Sequence, residues 1–217
     1  MSRVRILTFR WVNAYLVAVG DGFILIDTGF ALNRQKLVKA LLEETCRPGD
    51  LRLILITHGD ADHCGSAAYL RESHGAPIAM HQAEVDAVQR GNMFLSRGSL
   101  SWGQRLLRPM MTLVGPRGRN RFTPDVLLED GDRLVEYGLE ATVLHMPGHS
   151  AGSIAVLTDE GDFFSGDFLE NRKRPSIATL FYDENALREG FDRVKQLPIR
   201  RVYPGHGAPF TMDAIRP

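Results

Sequence analysis

Four of the seven histidines sit in short loops that each follow directly on an apolar run, and this placement constrains the fold more than any other feature of the chain. His58 and His63 lie in T-H-G-D-A-D-H-C-G-S after the run 51–56, His149 in P-G-H-S at 147–150, and His206 in P-G-H-G at 204–207. S-G-D at 165–167 adds Asp167 after Phe163 and Phe164. An apolar run that stops at Gly, Asp and His reads as a buried strand whose loop emerges at a sheet end, where chemistry gathers. Loops so far apart in sequence can cooperate only if their strands end at one edge, which calls for packed sheets.

The rest of the chain supplies those sheets. Residues 4–28 hold three short runs rich in Val, Ile, Leu and aromatics, separated at Arg10 and Trp11 and at Gly20-Asp21-Gly22, and read as an antiparallel meander. Leu37, Val38, Leu41 and Leu42 recur at helical spacing before Pro48-Gly49-Asp50, and a second helix is expected over 67–72. Strands are expected at 126–128, 133–135, 139–144, 154–157 and 163–164, followed by a helix carrying Leu187, Phe191 and Val194. The expected fold is α/β: a four-layer αββα sandwich of two mixed sheets packed face to face with helices outside. The chain of 217 residues is expected to form one domain.

Composition narrows the function classes. Basic and acidic residues both number 26, so overall charge recruits neither nucleic acid nor an anionic membrane. No run of about 18 apolar residues occurs, so no membrane span is expected. Cys46 and Cys64 allow at most one bridge, which favours a reducing, cytoplasmic setting over a disulfide framework. The N-terminal stretch carries Arg10 and Asn13 within its apolar run and reads as strand rather than as a cleaved signal.

Seven side chains are candidate metal ligands: His58, Asp60, Asp62, His63, His149, Asp167 and His206. Imidazole and carboxylate suit zinc, iron or manganese, and two such ions need about six to eight protein ligands. Each group alone has a structural explanation, since Asp60 or Asp62 could cap a helix and Gly205 and Gly207 could serve a turn. Four independent loops of this kind are poorly explained as coincidence. His74, His81 and His145 fall outside the loops and read as structural, Cys64 as packing, and Asp27 either as a turn residue or as an acceptor that orients a ligand histidine.

In order and spacing, T-H-G-D-A-D-H-C-G, P-G-H-S-A-G-S, S-G-D and P-G-H-G, with I-D-T-G at 26–29, resemble the metallo-β-lactamase superfamily of metal-dependent hydrolases. The resemblance covers about residues 12–209 and implies the αββα fold with a dinuclear site at one edge. It implies His58, Asp60 and His149 on a first ion, Asp62, His63 and His206 on a second, and Asp167 between them. The family's usual H-x-H-x-D-H is here H-x-D-x-D-H, because Asp60 replaces a histidine. A charged oxygen in place of a neutral nitrogen moves preference toward manganese or iron, with zinc retained as the first expectation.

The implied activity is hydrolysis of an ester, lactone or thioester by a hydroxide shared between two divalent ions, with Asp62 orienting it and accepting its proton. The alternatives are a phosphodiesterase, or an iron-dependent oxidoreductase of the persulfide dioxygenase or flavodiiron kind. A small-molecule substrate is expected and no nucleic acid. The segment 91–124 departs from the rest, with Arg97, Arg105, Arg108, Arg117, Arg119 and Arg121, no acidic residue, and Phe94, Leu95, Leu100, Trp102, Leu106, Leu107, Met110, Met111 and Leu113. It reads as a basic, apolar helical insertion, serving either as a lid that selects an anionic substrate with an apolar portion or as a homodimer arm.

Overall fold

The computed structural model describes residues 3–97 and 118–215. The core of the expected insertion, 98–117, with Arg105, Arg108 and Arg117, lies outside the described residues.

The first sheet has six strands in sequence order: β1 (Val4–Phe9), β2 (Val12–Val19), β3 (Gly22–Ile26), β4 (Leu51–Leu55), β5 (Ile78–His81) and β6 (Val126–Leu128). β1 to β3 form the antiparallel meander, whereas β3 to β6 pair in parallel, so the sheet is mixed. The change of direction follows from the connections: two-residue turns join the meander, while helices α1 (Arg34–Glu43) and α3 (Ala67–His74) carry the chain back across one face. The second sheet runs β12-β9-β8-β7, from β7 (Ala141–His145), β8 (Ile154–Thr158), β9 (Asp162–Gly166) and β12 (Arg201–Pro204). It too is mixed, with β12 parallel to β9 and the other pairs antiparallel. A small ribbon pairs β10 (Leu169–Glu170) with β11 (Ser176–Ile177).

Alternation along the strands divides the apolar side chains among three cores. Leu16, Leu25, Ile54 and Ile78 pack on one face of the first sheet against Leu37, Leu41 and Leu70 of α1 and α3. Val17, Ile24, Ile26, Leu53 and Leu55 point the other way and meet Val143, Ile154, Val156 and Phe164 of the second sheet. Beyond that, Ala155, Leu157, Phe163 and Val202 pack against Leu187 and Val194 of helix α5 (Glu184–Val194). Four layers result, as the sequence implies. Each fully buried Leu or Ile contributes about 1.5–3 kcal/mol, so the period-two pattern is strongly held to this register.

One expected strand is absent. Residues 133–135 form only a bridge from Arg133 to Thr142, followed by a 3-10 turn at Val135–Tyr137. Leu134 is buried, but Val135 is about half exposed and Gly138 at φ 85° turns the chain, so no two-faced strand can form. His81 ends strand β5, as expected of a strand end, whereas helix α4 (Val85–Arg90) has no counterpart in the sequence reading because it is too short for a clear period.

Candidate metal centre

The seven candidate ligands converge. His58, Asp60 and His149 form one group, Asp62, His63 and His206 another, and His58, His63 and Asp167 a third that links them, with ligand atoms within 4.8 Å of one another in each. His58, Asp167 and His206 stand just beyond the last residues of β4, β9 and β12. Asp62 and His63 lie on the short helix α2 (Ala61–Cys64) that the His58 loop runs into. His149 follows β7 after a turn at Pro147-Gly148.

All four imidazoles present the same nitrogen to the shared space, because the other is engaged. His63 Nδ1 lies 2.8 Å from Asp27 Oδ2, His149 Nδ1 lies 2.7 Å from the Leu180 carbonyl, and His206 Nδ1 lies 2.6 Å from the Trp11 carbonyl. These partners are acceptors, so each Nδ1 donates, and in the neutral ring each Nε2 turns its lone pair toward the shared space. His58 Nδ1 is 3.1 Å from Thr57 Oγ1, whose own proton is directed at Asp27, so this hydroxyl accepts from His58. Asp27 thus orients two of the four imidazoles, one directly and one through Thr57. Its backbone has φ 58°, a strained value for a residue other than glycine, and it also accepts the Thr57 amide at 2.9 Å.

The facing atoms are spaced for an ion. Asp167 lies 3.2 Å from both His63 Nε2 and His206 Nε2, Asp62 lies 3.5 Å from His206 Nε2 and 3.8 Å from His63 Nε2, and Asp60 lies 3.3 Å from His149 Nε2 and 3.7 Å from His58 Nε2. A tetrahedron of ligands about 2.1 Å from an ion has edges of about 3.4 Å. The buried side-chain atoms without a hydrogen-bond partner include His58 Nε2, His63 Nε2, His206 Nε2 and Asp167 Oδ1, all in this cluster. Buried polar groups are rarely left unsatisfied, and four orphans aimed at one another fit a divalent ion.

Charge is correspondingly polarised. Burial works against ionisation of Asp167, yet His63 and His206 hold its carboxyl well below the usual range. Burial also opposes a charged His63, but Asp167, Asp27 and Asp62 raise its pKa well above that of a free imidazole. For Asp60 the desolvation penalty is outweighed first by Arg97 and then by His149 and His58, again leaving a strong acid.

Three residues with no local sequence signal complete the site. Glu84, fully buried, accepts from the amides of Gly59 at 2.8 Å and Gly152 at 2.9 Å, clasping the His58 loop to the His149 loop. Asn13 on β2 donates to the carbonyls of Pro204 at 3.0 Å and Gly207 at 2.7 Å, tying the His206 loop to the other sheet. Arg97 Nη2 donates to both oxygens of Asp60 at 2.8 and 2.7 Å and lies 3.1 Å from His149 Nε2. The sequence offered one clue to Arg97: Asp60 adds a negative charge with no neighbouring cation, and a basic segment is the natural source.

Asp60 stands at the N-terminus of α2 but makes no capping hydrogen bond, so its carboxylate serves the site. Gly205 is required by more than a turn, since a Cβ there would strike the Asp167 carboxylate and come within 2.7 Å of the His63 ring. Cys64 is buried with its thiol 3.6 Å from the Gly59 carbonyl, a packing role. His81 and His145 stack on each other, with centroids 4.2 Å apart and planes within 6°, away from the cluster.

A four-layer sandwich whose strand-end loops gather four imidazoles and three carboxylates defines a metal-dependent hydrolase scaffold. The chain belongs to the metallo-beta-lactamase superfamily, whose family model matches residues 7–206. It is 32% identical over 170 residues to acyl-coenzyme A thioesterase MBLAC2 of Bos taurus, which covers 71% of this chain and 57% of the bovine protein. The Gallus gallus form is 32% identical over 209 residues, covering 89% of this chain and 72% of that protein. Among solved structures, TTHA1623 in a di-iron-bound form superposes with TM-score 0.72 at 31% identity, covering 98% of this chain and 96% of that one. BLEG-1, a B3 metallo-beta-lactamase, gives TM-score 0.72 at 25% identity over 99% and 95% of the two chains. The His/Asp groups and the di-iron neighbour together support a dinuclear site for divalent ions in an enzyme of this superfamily. No helix among the described residues is long and apolar enough to cross a membrane.

Proposed function

We propose that the chain, as one hydrolase domain, cleaves acyl thioesters, with esters and lactones as related substrates, at His58, Asp60, Asp62, His63, His149, Asp167 and His206. The observation that carries this reading is the set of four Nε2 atoms, each fixed from behind, facing three carboxylates. These seven side chains would hold divalent ions, zinc the first candidate and manganese or iron the others, which when bound would supply Lewis acidity toward a carbonyl and a nucleophilic water near neutral pH. Asp27, Thr57 and the carbonyls of Trp11 and Leu180 keep the imidazoles in one tautomer and one orientation. Asp62, whose side chain is 21% exposed while those of Asp60 and Asp167 are 10%, is the carboxylate best placed to take a proton from water and release it to solvent.

Two features favour a thioester with an apolar acyl group and an anionic carrier. The MBLAC2 relatives are acyl-coenzyme A thioesterases. Trp11 and Leu180, whose carbonyls anchor site histidines, and Leu95, beside Arg97, expose large apolar side chains. Apart from Arg97, which pairs with Asp60, the arginines of 91–124 have no acidic residue in their own segment, and Arg105, Arg108 and Arg117 are assigned to phosphate or carboxylate groups, unless this segment is instead a dimer arm. Buried free thiols at Cys46 and Cys64 favour a cytoplasmic setting.

The test is a panel of an acyl-coenzyme A, an aryl ester, a lactone and a phosphodiester, each assayed with metal, after chelation and after metal is restored. Reversible, metal-dependent thioesterase activity exceeding the others is expected. Fastest turnover of the phosphodiester would replace this reading with the phosphodiesterase. Oxygen consumption by iron-loaded protein would replace it with the oxidoreductase, the reading that the di-iron neighbour keeps open.

A further inference from the structure

The site contains a cation of its own. Arg97 is buried to 9% side-chain exposure, and Nη2 lies within 3.1 Å of both Asp60 oxygens and of His149 Nε2, two of the three ligands of the first sub-site. His149 Nδ1 is spent on the Leu180 carbonyl, so Nε2 carries the only lone pair the ring can give. That lone pair goes to an N–H or to a metal ion, and cannot go to both. The guanidinium is anchored as well as inserted, because Nη1 donates to the Met93 carbonyl at 3.0 Å. The neighbouring Ser96 carbonyl accepts from Ala151 in the His149 loop at 2.6 Å. In the second sub-site no arginine or lysine enters among the described residues, and His63 Nε2, His206 Nε2 and Asp167 Oδ1 have no hydrogen-bond partner, whereas in the first His58 Nε2 is unpartnered but Asp60 and His149 are engaged by Arg97. Charge points the same way. One divalent ion and Arg97 together offset the three carboxylates that face the shared space, Asp60, Asp62 and Asp167, which leaves only Asp27 behind His63 unbalanced, so a second ion enters a site already largely neutralised.

We propose that Arg97 is the resident cation of the first sub-site: the second sub-site takes a divalent ion directly, and the first takes one only as the guanidinium withdraws from Asp60 and His149. This rests on the metal-site reading above and holds for any class of substrate. It also explains the substitution of Asp for His at position 60, since the carboxylate is the arginine's partner as much as a ligand. Metal loading is then graded, and Arg97 sets the gap between the two affinities.

Metal-free full-length protein is titrated with zinc by calorimetry, with elemental analysis of the final complex, for the wild type, Arg97→Met and Arg97→Ala. Circular dichroism confirms that each variant is folded. The wild type is expected to bind one ion tightly and a second at least about tenfold more weakly, a gap of the size that coupled sites show. Arg97→Met, which keeps the packing volume, is expected to tighten the second ion about tenfold and leave the first unchanged. Two ions of equal affinity in the wild type, or a second ion unaffected in both folded variants, would overturn the gate while leaving the metal site standing. No binding of zinc by any of the three proteins would overturn the gate and the metal-site reading together.

Discussion

The two halves of the site are built from the same residue types, two from the motif 58–63 and one histidine from a distant loop each, yet they differ in what stands behind and between them. In the second half, Asp62, His63 and His206, a buried carboxylate, Asp27, backs His63 directly and both imidazoles face the site with Nε2 unpartnered, whereas in the first Asp27 reaches only His58, through Thr57. The first, Asp60, His58 and His149, is clasped by Glu84 and filled by Arg97. Ligand identity is therefore a local property of the sequence, whereas readiness to take an ion is set by residues more than twenty positions away.

The largest effect is expected in the second half. His206→Ala should lower metal-dependent turnover about 1000-fold, because an open ion site without a substitute cation loses its charge stabilisation. A comparable loss from His58→Ala with no further loss from His206→Ala would break the ranking of the halves. Next, Asp60→His strands the buried Arg97 without its carboxylate. The single variant should lose about 3–5 kcal/mol of stability in urea, and adding Arg97→Met should restore most of it. The double variant, with a neutral nitrogen donor at 60, should also favour zinc over manganese more than the wild type does in competition titrations.

A smaller change tests the clasp on the first half. Glu84→Gln sets an NH2 group against the amide of Gly59 or Gly152, which should cost about 1–3 kcal/mol in denaturant unfolding. The second ion-binding group should keep its affinity, since Glu84 touches neither His63 nor His206.

The smallest effect is a pH dependence confined to the first half's support. His145 Nε2 contacts the Ala151 carbonyl of the His149 loop, and the stacked His81 has its pKa lowered by burial and by His145. Both folded and unfolded His81 are neutral above about pH 6.5, so it contributes no slope there. As pH falls through that value the unfolded chain takes up the proton first, and stability is lost. His81→Asn keeps an acceptor for the Ala83 amide and removes the titration, so its melting temperature should fall less than the wild type's between pH 7 and 5, about the window of an imidazole.

Much of this comparison was legible in the chain and part was not. Strand ends and ligands could be read because burial imposes a period of two and because His, Asp and Gly cluster where strands stop; the β4 loop shows both within fourteen residues, 51–64. Asp27 was legible as one of two alternatives, and only the fold brings it to His63. Glu84 was not legible, since a lone Glu after a short strand is ordinarily solvated, and its burial depends on two amides from loops 93 residues apart, Gly59 and Gly152. Arg97 was seen only as one charge among six in a basic segment. The strand expected at 133–135 failed for a related reason: local apolar content does not reveal that Val135 has no partner surface.

The seven side chains are proposed to hold metal, and the two halves to hold it unequally. Anomalous diffraction from crystals of the full chain, grown with limiting zinc, tests both at once. The strongest peak is expected among Asp62, His63, Asp167 and His206, with a weaker one or none at His58, Asp60 and His149. A map with no peak among the seven would contradict the metal site, and one with its stronger peak beside Arg97 would contradict the inequality.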